Sequence, residues 1–288
     1  MKIAYALLRF VILAYVASCT FLYFYQRKLL YVPPAEILNA APAGSIYRTM
    51  TVEVPGVGKI TNWMVPADAP GLPTVVFFHG NGTDRTDFMQ TGERLHRLGW
   101  GVVLASYPGY SGNPGRPGEE SLMASARATL SALGHAPGGI LVWGHSLGSG
   151  VAARMASEGR AQGLVLEAPY TAIVDVAAGT FPVFPVRLLM RDRYDTRSLV
   201  SAIKVPVLIV HADGDPVIPF AMGRELAERF GEQAEFYPLL HVHSHYPHAE
   251  EDLSSMADSW WQRRVRPVPR FAQSVRAASS VEDAARGS

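Results

Sequence analysis

The chain has 288 residues, of which 48% are hydrophobic, and this is enough for one large domain with a sizeable buried core. A formal net charge of +1 gives no electrostatic reason to expect nucleic acid or another polyanion as a partner. The single cysteine, Cys19, excludes an intramolecular disulfide, and its place in the apolar N-terminus excludes cysteine-based zinc sites and thiol catalysis in the folded domain.

The N-terminus is an apolar segment from Ile3 to Phe24 that contains one charged residue, Arg9. As a helix it would cover roughly 30 Å, the thickness of the hydrocarbon core of a bilayer. Aromatic residues and the polar "QRK" end it, which favours an uncleaved single-pass membrane anchor, residues 1–30, over a cleaved signal. Two alternatives are a buried core helix and lipoprotein processing at Cys19. Positive charge on both flanks leaves the orientation open.

Residues 31–262 show short β-rich runs that give way to strands alternating with helix-length amphipathic segments, which is typical of an α/β fold. Apolar runs such as "TVVFF" and "VLIV" indicate central strands of a parallel sheet covered on both faces. We predict about eight strands, near 50–55, 59–66, 74–79, 101–107, 140–144, 164–168, 205–211 and 235–239. We predict helices near 84–98, 119–133, 147–158, 221–230 and 249–262.

The first motif, "HGNG" at 79–82, follows a predicted strand. Its glycines let backbone N–H groups approach a substrate carbonyl, which is what an oxyanion hole requires. We expect the N–H groups of Asn81 and Leu147 to be the two donors. The plain alternative is that the glycines only form a tight turn.

The second motif, "GHSLG", places Ser146 between an apolar strand and a small-residue helix. A strand that turns sharply into a helix holds the residue at the turn in a strained conformation, and Cβ atoms two positions either side would collide with neighbouring elements. Gly144 and Gly148 avoid those collisions. The pattern predicts that Ser146 is a nucleophile, although a G-x-S-x-G match can also arise by chance.

A serine nucleophile requires a base and an acid, expected in the order serine, acid, histidine. "HADGD" supplies Asp215, our first choice for the acid, and Asp213, which we expect to shape the turn. Asp175 is a third choice. An insertion at about 171–203 is longer than one crossover helix and predicts a small cap. Its apolar residues indicate either an acyl pocket near a bilayer or ordinary packing on the sheet: Phe181, Phe184, Leu188, Leu189 and Met190.

The base is expected in "HVHSHYPH", which follows the last strand. His243 fits the spacing best, and His245 is second, with His241 and His248 also present. Alternate histidines on a strand could instead bind a transition metal, but no carboxylate or cysteine partner has recognisable spacing, so we predict no metal. Residues 263–288 lack periodicity and are predicted to be a disordered basic tail.

With "HGNG", "GHSLG", "HADGD" and a late histidine in that order, residues 31 to 261 resemble the α/β-hydrolase superfamily. The segments "YQRKLLYVP", "SYPGYSGNPGRPGEES", "APYTAIVDVA" and "RDRYDT" resemble its N-terminally membrane-anchored branch. The resemblance implies Ser146 as nucleophile, Asp215 as acid, a histidine of "HVHSH" as base, and Asn81 and Leu147 as oxyanion donors. Leu240, His241 and Val242 replace the usual small residues before the base, which leaves its identity open.

The resemblance implies a serine hydrolase that cleaves carboxylic esters or thioesters through an acyl-enzyme, without a cofactor. A small-molecule or lipid-like acyl compound is the expected substrate, and the membrane is the expected location. One alternative is a non-catalytic binding or scaffold protein, because a fold does not determine a function. Another is a serine peptidase or amidase that uses the same residues.

Overall fold

The computed structural model describes residues 1–35, 39–134, 136–239 and 253–266. Within these ranges eight strands form one sheet in the order β1-β2-β4-β3-β5-β6-β7-β8. β1 and β2 are antiparallel, β2 and β4 are antiparallel, and the remaining neighbours are parallel. The strands are β1 Arg48–Val54, β2 Gly58–Val65, β3 Thr74–Phe78, β4 Gly101–Ala105, β5 Ile140–His145, β6 Gly163–Glu167, β7 Val207–Ala212 and β8 Ala234–Leu239.

Each predicted strand corresponds to an observed strand within a few residues. The apolar runs that predicted central strands are β3, β5, β6 and β7, and all four lie between neighbours in the parallel part of the sheet. Pro238 lies in β8, the edge strand, where the missing backbone N–H is tolerated. The predicted α/β fold with a mostly parallel sheet is therefore confirmed.

Helices cover both faces of the sheet. They are α1 Lys2–Leu30, α2 Met89–Arg97, α3 Glu119–Leu133, α4 Leu147–Ser157, α5 Ile173–Thr180, α6 Val186–Leu189, α7 Thr196–Leu199, α8 Phe220–Phe230 and α9 Leu253–Arg264. Apolar side chains of α3, α4 and α8 pack on one face. Those of α2 and α9, with Trp100, pack on the other. Burial of both faces explains why the central strands are apolar throughout.

The predicted helix at 84–98 has two parts. A single 3₁₀ turn, Arg85–Phe88, precedes α2, and the side chain of Asp84 accepts a hydrogen bond from the N–H of Thr86 at 2.8 Å. An Asp that caps the first turn in this way is a frequent helix-start signal. The element is therefore where it was predicted, with a tighter first turn.

Helix α9 continues two residues beyond residue 262, the predicted end of the domain. Arg263 and Arg264 belong to α9, and both guanidinium groups pair with Glu235, at 3.1 and 3.0 Å. Arg266 donates to the carbonyl oxygens of Gly71 and Pro137. These contacts hold the start of the predicted tail against the domain, and residues 267–288 lie outside the described residues.

Helix α1 is longer than the apolar segment that predicted it. It is long and apolar enough to cross a membrane, and none of its residues is buried against the domain. This exposure fits a membrane anchor and does not fit a buried core helix. The predicted cap at 171–203 contains the short helices α5, α6 and α7.

Candidate active site

Ser146 lies at the turn between β5 and α4. Its backbone has φ 49° and ψ −117°, in the positive-φ region that residues with a side chain rarely adopt. The N–H of Ser146 donates to the carbonyl oxygen of Glu167 at 2.9 Å, which ties the turn to the end of β6. The strain predicted for the "GHSLG" turn is present at Ser146 itself.

Two glycines make this turn possible. A Cβ atom on Gly144 would overlap the carbonyl oxygen of Gly148, and a Cβ atom on Gly148 would overlap the carbonyl oxygen of Phe78. Both obstacles are backbone atoms, which cannot rotate away as a flexible side chain can. The glycines therefore allow β3, β5 and α4 to approach one another closely beneath Ser146.

Asn81 lies in the loop after β3, and its side chain is held from two sides. Its Oδ1 accepts hydrogen bonds from the N–H of Val32, at 2.8 Å, and from the hydroxyl of Tyr110, at 3.1 Å. Val32 lies just beyond the end of α1. The loop that carries one predicted oxyanion donor is thus attached to the segment just after the apolar helix.

His79 supports the same loop from within the core. His79 is fully buried, and its Nδ1 lies 2.9 Å from the carbonyl oxygen of Gly80. The hydroxyl of Tyr107 donates to the carbonyl oxygen of His79 at 2.9 Å. Burial lowers the pKa of the His79 imidazole to about 4. His79 is therefore neutral at pH 7 and serves to fix the loop.

Leu147, the other predicted oxyanion donor, is the first residue of α4. N–H groups in the first turn of a helix have no partner within the helix, and the positive end of the helix dipole lies there. The hydroxyl of Tyr170 donates to the carbonyl oxygen of Leu147 at 2.9 Å. The backbone at Leu147 is therefore anchored next to Ser146, where a donor to an oxyanion is required.

Asp215 lies in the turn after β7, at the same sheet edge as Ser146. Its Oδ1 accepts hydrogen bonds from the N–H groups of Val217 and Ile218, at 2.8 and 2.9 Å. Its Oδ2 lies 3.6 Å from Nε2 of the buried His211. Burial acts to raise the pKa of the Asp215 carboxyl, but His211 and the two N–H groups outweigh burial and hold the pKa below its ordinary value.

The other two candidate acids are placed differently. Asp213 is exposed, and its backbone N–H donates to the carbonyl oxygen of Leu239 at 3.0 Å. Asp175 lies in α5, where it pairs with Arg187 and, at 3.2 Å, with Arg197. Asp175 is thus engaged in holding the cap together.

One cavity of about 350 Å³ contains Ser146, Asn81 and Asp215. Further side chains around it come from the loop after β3, the 3₁₀ turn, α2, β5, β6, the turn after β7 and α9. They include Thr83, Asp87, Phe88, Thr91, His145, Glu167, Val217 and Leu253. The cap residues Phe181, Phe184, Leu189 and Met190 line a separate cavity, of about 160 Å³, beside α1. Four of the five predicted cap residues therefore lie beside the N-terminal helix, and the fifth, Leu188, is exposed.

Glu167 belongs to the site as well, although no sequence motif pointed to it. This side chain is buried at the end of β6 and lines the cavity beside Ser146, and its Oε2 accepts a hydrogen bond from the indole N–H of Trp143 at 2.8 Å. Burial raises the pKa of the Glu167 carboxyl to about 7. The available signal was a charged residue at the end of the otherwise apolar run "GLVLE".

The four candidate histidines, His241, His243, His245 and His248, lie outside the described residues, so the base remains a prediction. The metal alternative at these histidines is untested for the same reason. Within the described ranges, no group of three His, Cys, Asp or Glu side chains is placed to hold a metal ion.

Residues 75–202 match a family model described as the alpha/beta hydrolase family. An uncharacterized protein of Mycobacterium tuberculosis H37Rv is 34% identical over 236 residues, which cover 78% of this chain and 83% of that protein. The lysophosphatidylserine lipase ABHD12 of Rattus norvegicus is 31% identical over 191 residues, 59% of this chain. That match spans 48% of the lipase, about half its length.

Solved structures give the same fold. The Pyrococcus furiosus esterase Pf2001 superposes with a TM-score of 0.65 at 18% identity, covering 81% of this chain and 100% of that chain. The Paleococcus ferrophilus monoacylglycerol lipase superposes with a TM-score of 0.55 at 20% identity, covering 70% and 97%. At these identities the similarity concerns the fold.

Proposed function

The chain belongs to the α/β-hydrolase superfamily, and we propose that it is a membrane-anchored serine hydrolase that forms an acyl-enzyme on Ser146. The observation that carries the proposal is the strained Ser146 at the β5–α4 turn, in one cavity with Asp215 and Asn81. A strained turn that presents a hydroxyl beside a helix N-terminus is the arrangement required of a serine nucleophile in this fold.

In the proposed mechanism, a histidine of 241–248, His243 by our choice, accepts the proton of the Ser146 hydroxyl as its oxygen attacks the substrate carbonyl carbon. Asp215, which is ionised at neutral pH, stabilises the resulting imidazolium. The N–H groups of Asn81 and Leu147 bind the oxyanion. The histidine returns the proton to the leaving alcohol or thiol, and water, activated by the same histidine, then hydrolyses the acyl-enzyme.

The described residues on both sides of 240–252 support a base from this segment. The carbonyl oxygen of Leu239 accepts a hydrogen bond from the N–H of Asp213, in the turn that carries Asp215. Leu253, which begins α9, lines the cavity that contains Ser146. The histidine-containing segment thus joins two residues that lie at the site.

We propose carboxylic esters or thioesters as substrates, with an acyl part of lipid character. The ABHD12 relatives are lysophosphatidylserine lipases, which supports a lipid ester. Helix α1 supports the same substrate class, because it has the length and composition of a single-pass N-terminal anchor.

The proposal can be tested by labelling membrane fractions with a fluorescent fluorophosphonate, which reacts with activated serines. The parent is expected to be labelled, and Ser146→Ala, Asp215→Asn and His243→Ala or His245→Ala to lose labelling. Ser157→Ala, in the same helix with its hydroxyl bonded to the Arg154 carbonyl, is a matched control that should label as the parent does. Absence of labelling in a folded parent would contradict the proposal.

A further inference from the structure

Helix α1 is attached to the cap by its polar C-terminal residues. The side-chain amide of Gln26 donates to the carbonyl oxygen of Leu189 at 3.1 Å and accepts from the N–H of Arg191 at 2.7 Å. The guanidinium of Arg27 donates two hydrogen bonds of 2.8 Å to the buried carboxylate of Asp192. These contacts fix the direction in which α1 leaves the domain.

A second contact lies far along the helix from this polar end. The hydroxyl of Tyr15 donates to the carbonyl oxygen of Val183 at 3.0 Å, and its ring is parallel to that of Phe184, with 5.9 Å between centroids. Tyr15 precedes Gln26 by about three helical turns, or about 16 Å of helix. The segment before α6 therefore runs beside the middle of α1.

The cap tip, defined here as residues 181–189, exposes large apolar side chains. Phe181, Val183 and Leu188 are 42%, 71% and 83% exposed. The neighbouring surface of α1 is equally apolar, with Val16 and Phe21 exposed. Soluble proteins rarely expose neighbouring large apolar side chains in this way, and such a patch usually marks an interaction with protein or membrane.

The depth of the cap tip follows from α1. If the apolar part of α1 spans the bilayer, with Gln26 and Arg27 at its surface, then Tyr15 lies about 16 Å inside a hydrocarbon core of about 30 Å. Val183 and Phe184 are in contact with Tyr15 and must lie near the same depth. An exposed carbonyl or an unpaired charged group would be costly there. The Val183 carbonyl is hydrogen-bonded by Tyr15, and Arg187, the charged residue of the cap tip, is paired with Asp175.

Cationic side chains lie at the opposite end of this apolar surface. The guanidinium of Arg191 lies 5.8 Å from the ring centre of Tyr23, and the ammonium of Lys28 lies 5.1 Å from that of Tyr25. Tyr and basic residues together are typical of the headgroup level of a bilayer, and basic residues attract anionic lipids. The apolar cap tip is therefore followed by a level of aromatic and cationic side chains and then by the folded domain. This order matches that of the hydrocarbon core, the headgroup region and the water at one side of a membrane.

We propose that the cap tip is inserted into the bilayer leaflet that surrounds the C-terminal half of α1. The occupant of this surface is lipid hydrocarbon, continuous with the lipid around α1. The cavity of about 160 Å³ between the two elements, lined by Leu22, Leu29, Phe181, Phe184, Leu189 and Met190, then opens to lipid acyl chains. The inference rests on α1 being the membrane anchor and is independent of the serine chemistry.

The test uses the full chain with Cys19→Ser, which removes the native thiol, reconstituted in vesicles of phosphatidylcholine and phosphatidylglycerol. One variant carries Val183→Cys and another carries Leu188→Cys, and each introduced cysteine is labelled with an environment-sensitive nitrobenzoxadiazole. Ala69→Cys is the control, because Ala69 is exposed in the β2–β3 loop at the opposite edge of the parallel strands. Retention after carbonate extraction first tests the anchor itself.

We expect the labels at 183 and 188 to emit at shorter wavelength and to be quenched by spin-labelled lipids several times more strongly than the label at 69. The label at 69 should instead be quenched by aqueous iodide. Protein retained in the membrane with iodide quenching at 183 and 188 would overturn the insertion while the anchor stands. Release of the protein from the vesicles by carbonate would overturn both the anchor and the insertion. Protection from both quenchers, with dimers in detergent, would assign the tip to contact between copies.

Discussion

The N–H of Val32 donates to Oδ1 of Asn81 at 2.8 Å, joining the segment just after the apolar helix to the loop that carries the proposed oxyanion donor. The hydroxyl of Tyr31, the preceding residue, lies 3.0 Å from that of Tyr194, at the end of the cap. The geometry of the proposed oxyanion hole is therefore coupled to the position of α1.

Replacing Val32 by proline removes the donated N–H. Proline should be accommodated, because Tyr31 has the extended backbone that the residue before proline prefers. A hydrogen bond of this kind contributes about 1 kcal/mol, so we expect kcat to fall about fivefold. Steady-state hydrolysis of p-nitrophenyl esters should show the change in kcat with KM nearly unchanged. Val32→Ala, which keeps the N–H, should behave as the parent; equal losses in both variants would contradict the coupling.

Gly148→Ala places a Cβ atom against the carbonyl oxygen of Phe78, which the backbone cannot relieve without moving β3 or α4. Overpacking in a closely packed core typically costs about 1–3 kcal/mol, and we expect at least this loss of stability together with loss of fluorophosphonate labelling. Gly179→Ala in α5 is the matched control, because nothing lies within 4 Å of the position that its Cβ atom would take. It should be neutral or stabilise by about 0.5–1 kcal/mol. Urea denaturation in detergent gives both values.

Asp215→Asn removes the negative charge that would stabilise the imidazolium, and we expect kcat to fall on the order of 10⁴-fold, as for the acid of a serine triad. Asp213→Asn should change kcat by less than about threefold, because its carboxyl is exposed in the turn. The comparison requires only ester hydrolysis by the two purified variants. A larger loss of kcat in Asp213→Asn than in Asp215→Asn would show that Asp213 is the acid of the triad.

Glu167 is expected to make stability depend on pH. Its pKa is about 7 in the folded chain, so between its unfolded pKa of about 4.3 and pH 7 the folded state binds more protons and stability falls as pH rises, by about 4 kcal/mol in total. His79, with a folded pKa of about 4, has the opposite slope between pH 4 and 6.5, so it offsets much of the Glu167 contribution in the parent.

The difference between the parent and Glu167→Gln isolates the carboxyl. Glutamine keeps an oxygen that can accept from Trp143 but does not titrate. Relative to the parent, the variant should gain stability as pH rises from 5 to 7.5, measured by urea denaturation at each pH. A difference that does not change with pH would show that the buried carboxyl is not protonated in the folded chain.

Much of the fold could be predicted because it depends on local sequence. The apolar runs of β3, β5, β6 and β7 are buried on both faces, so their composition alone distinguishes them from surface strands. Gly144 and Gly148 flank Ser146 within five residues, and the sharp turn between strand and helix explains why both positions are glycine. The turn and its strain were therefore predicted in detail.

What could not be predicted depends on contacts between distant residues. Val32 and Asn81 are 49 positions apart, and no spacing rule relates the end of an apolar helix to a loop after the third strand. The indole of Trp143 identifies Glu167 as a buried acceptor only after β5 and β6 are paired. The pairing of Arg263 and Arg264 with Glu235 likewise extends α9 into the predicted tail.

Acylation of Ser146 can be detected by trapping the acyl-enzyme intermediate. The parent, reconstituted in lipid vesicles, is mixed with p-nitrophenyl octanoate, quenched in acid within one turnover, digested and examined by mass spectrometry. We predict an octanoyl group on Ser146 and none on the Ser146→Ala variant, which should not hydrolyse the ester. An acyl group on another residue, or hydrolysis by Ser146→Ala at the parent rate, would show that Ser146 is not the nucleophile.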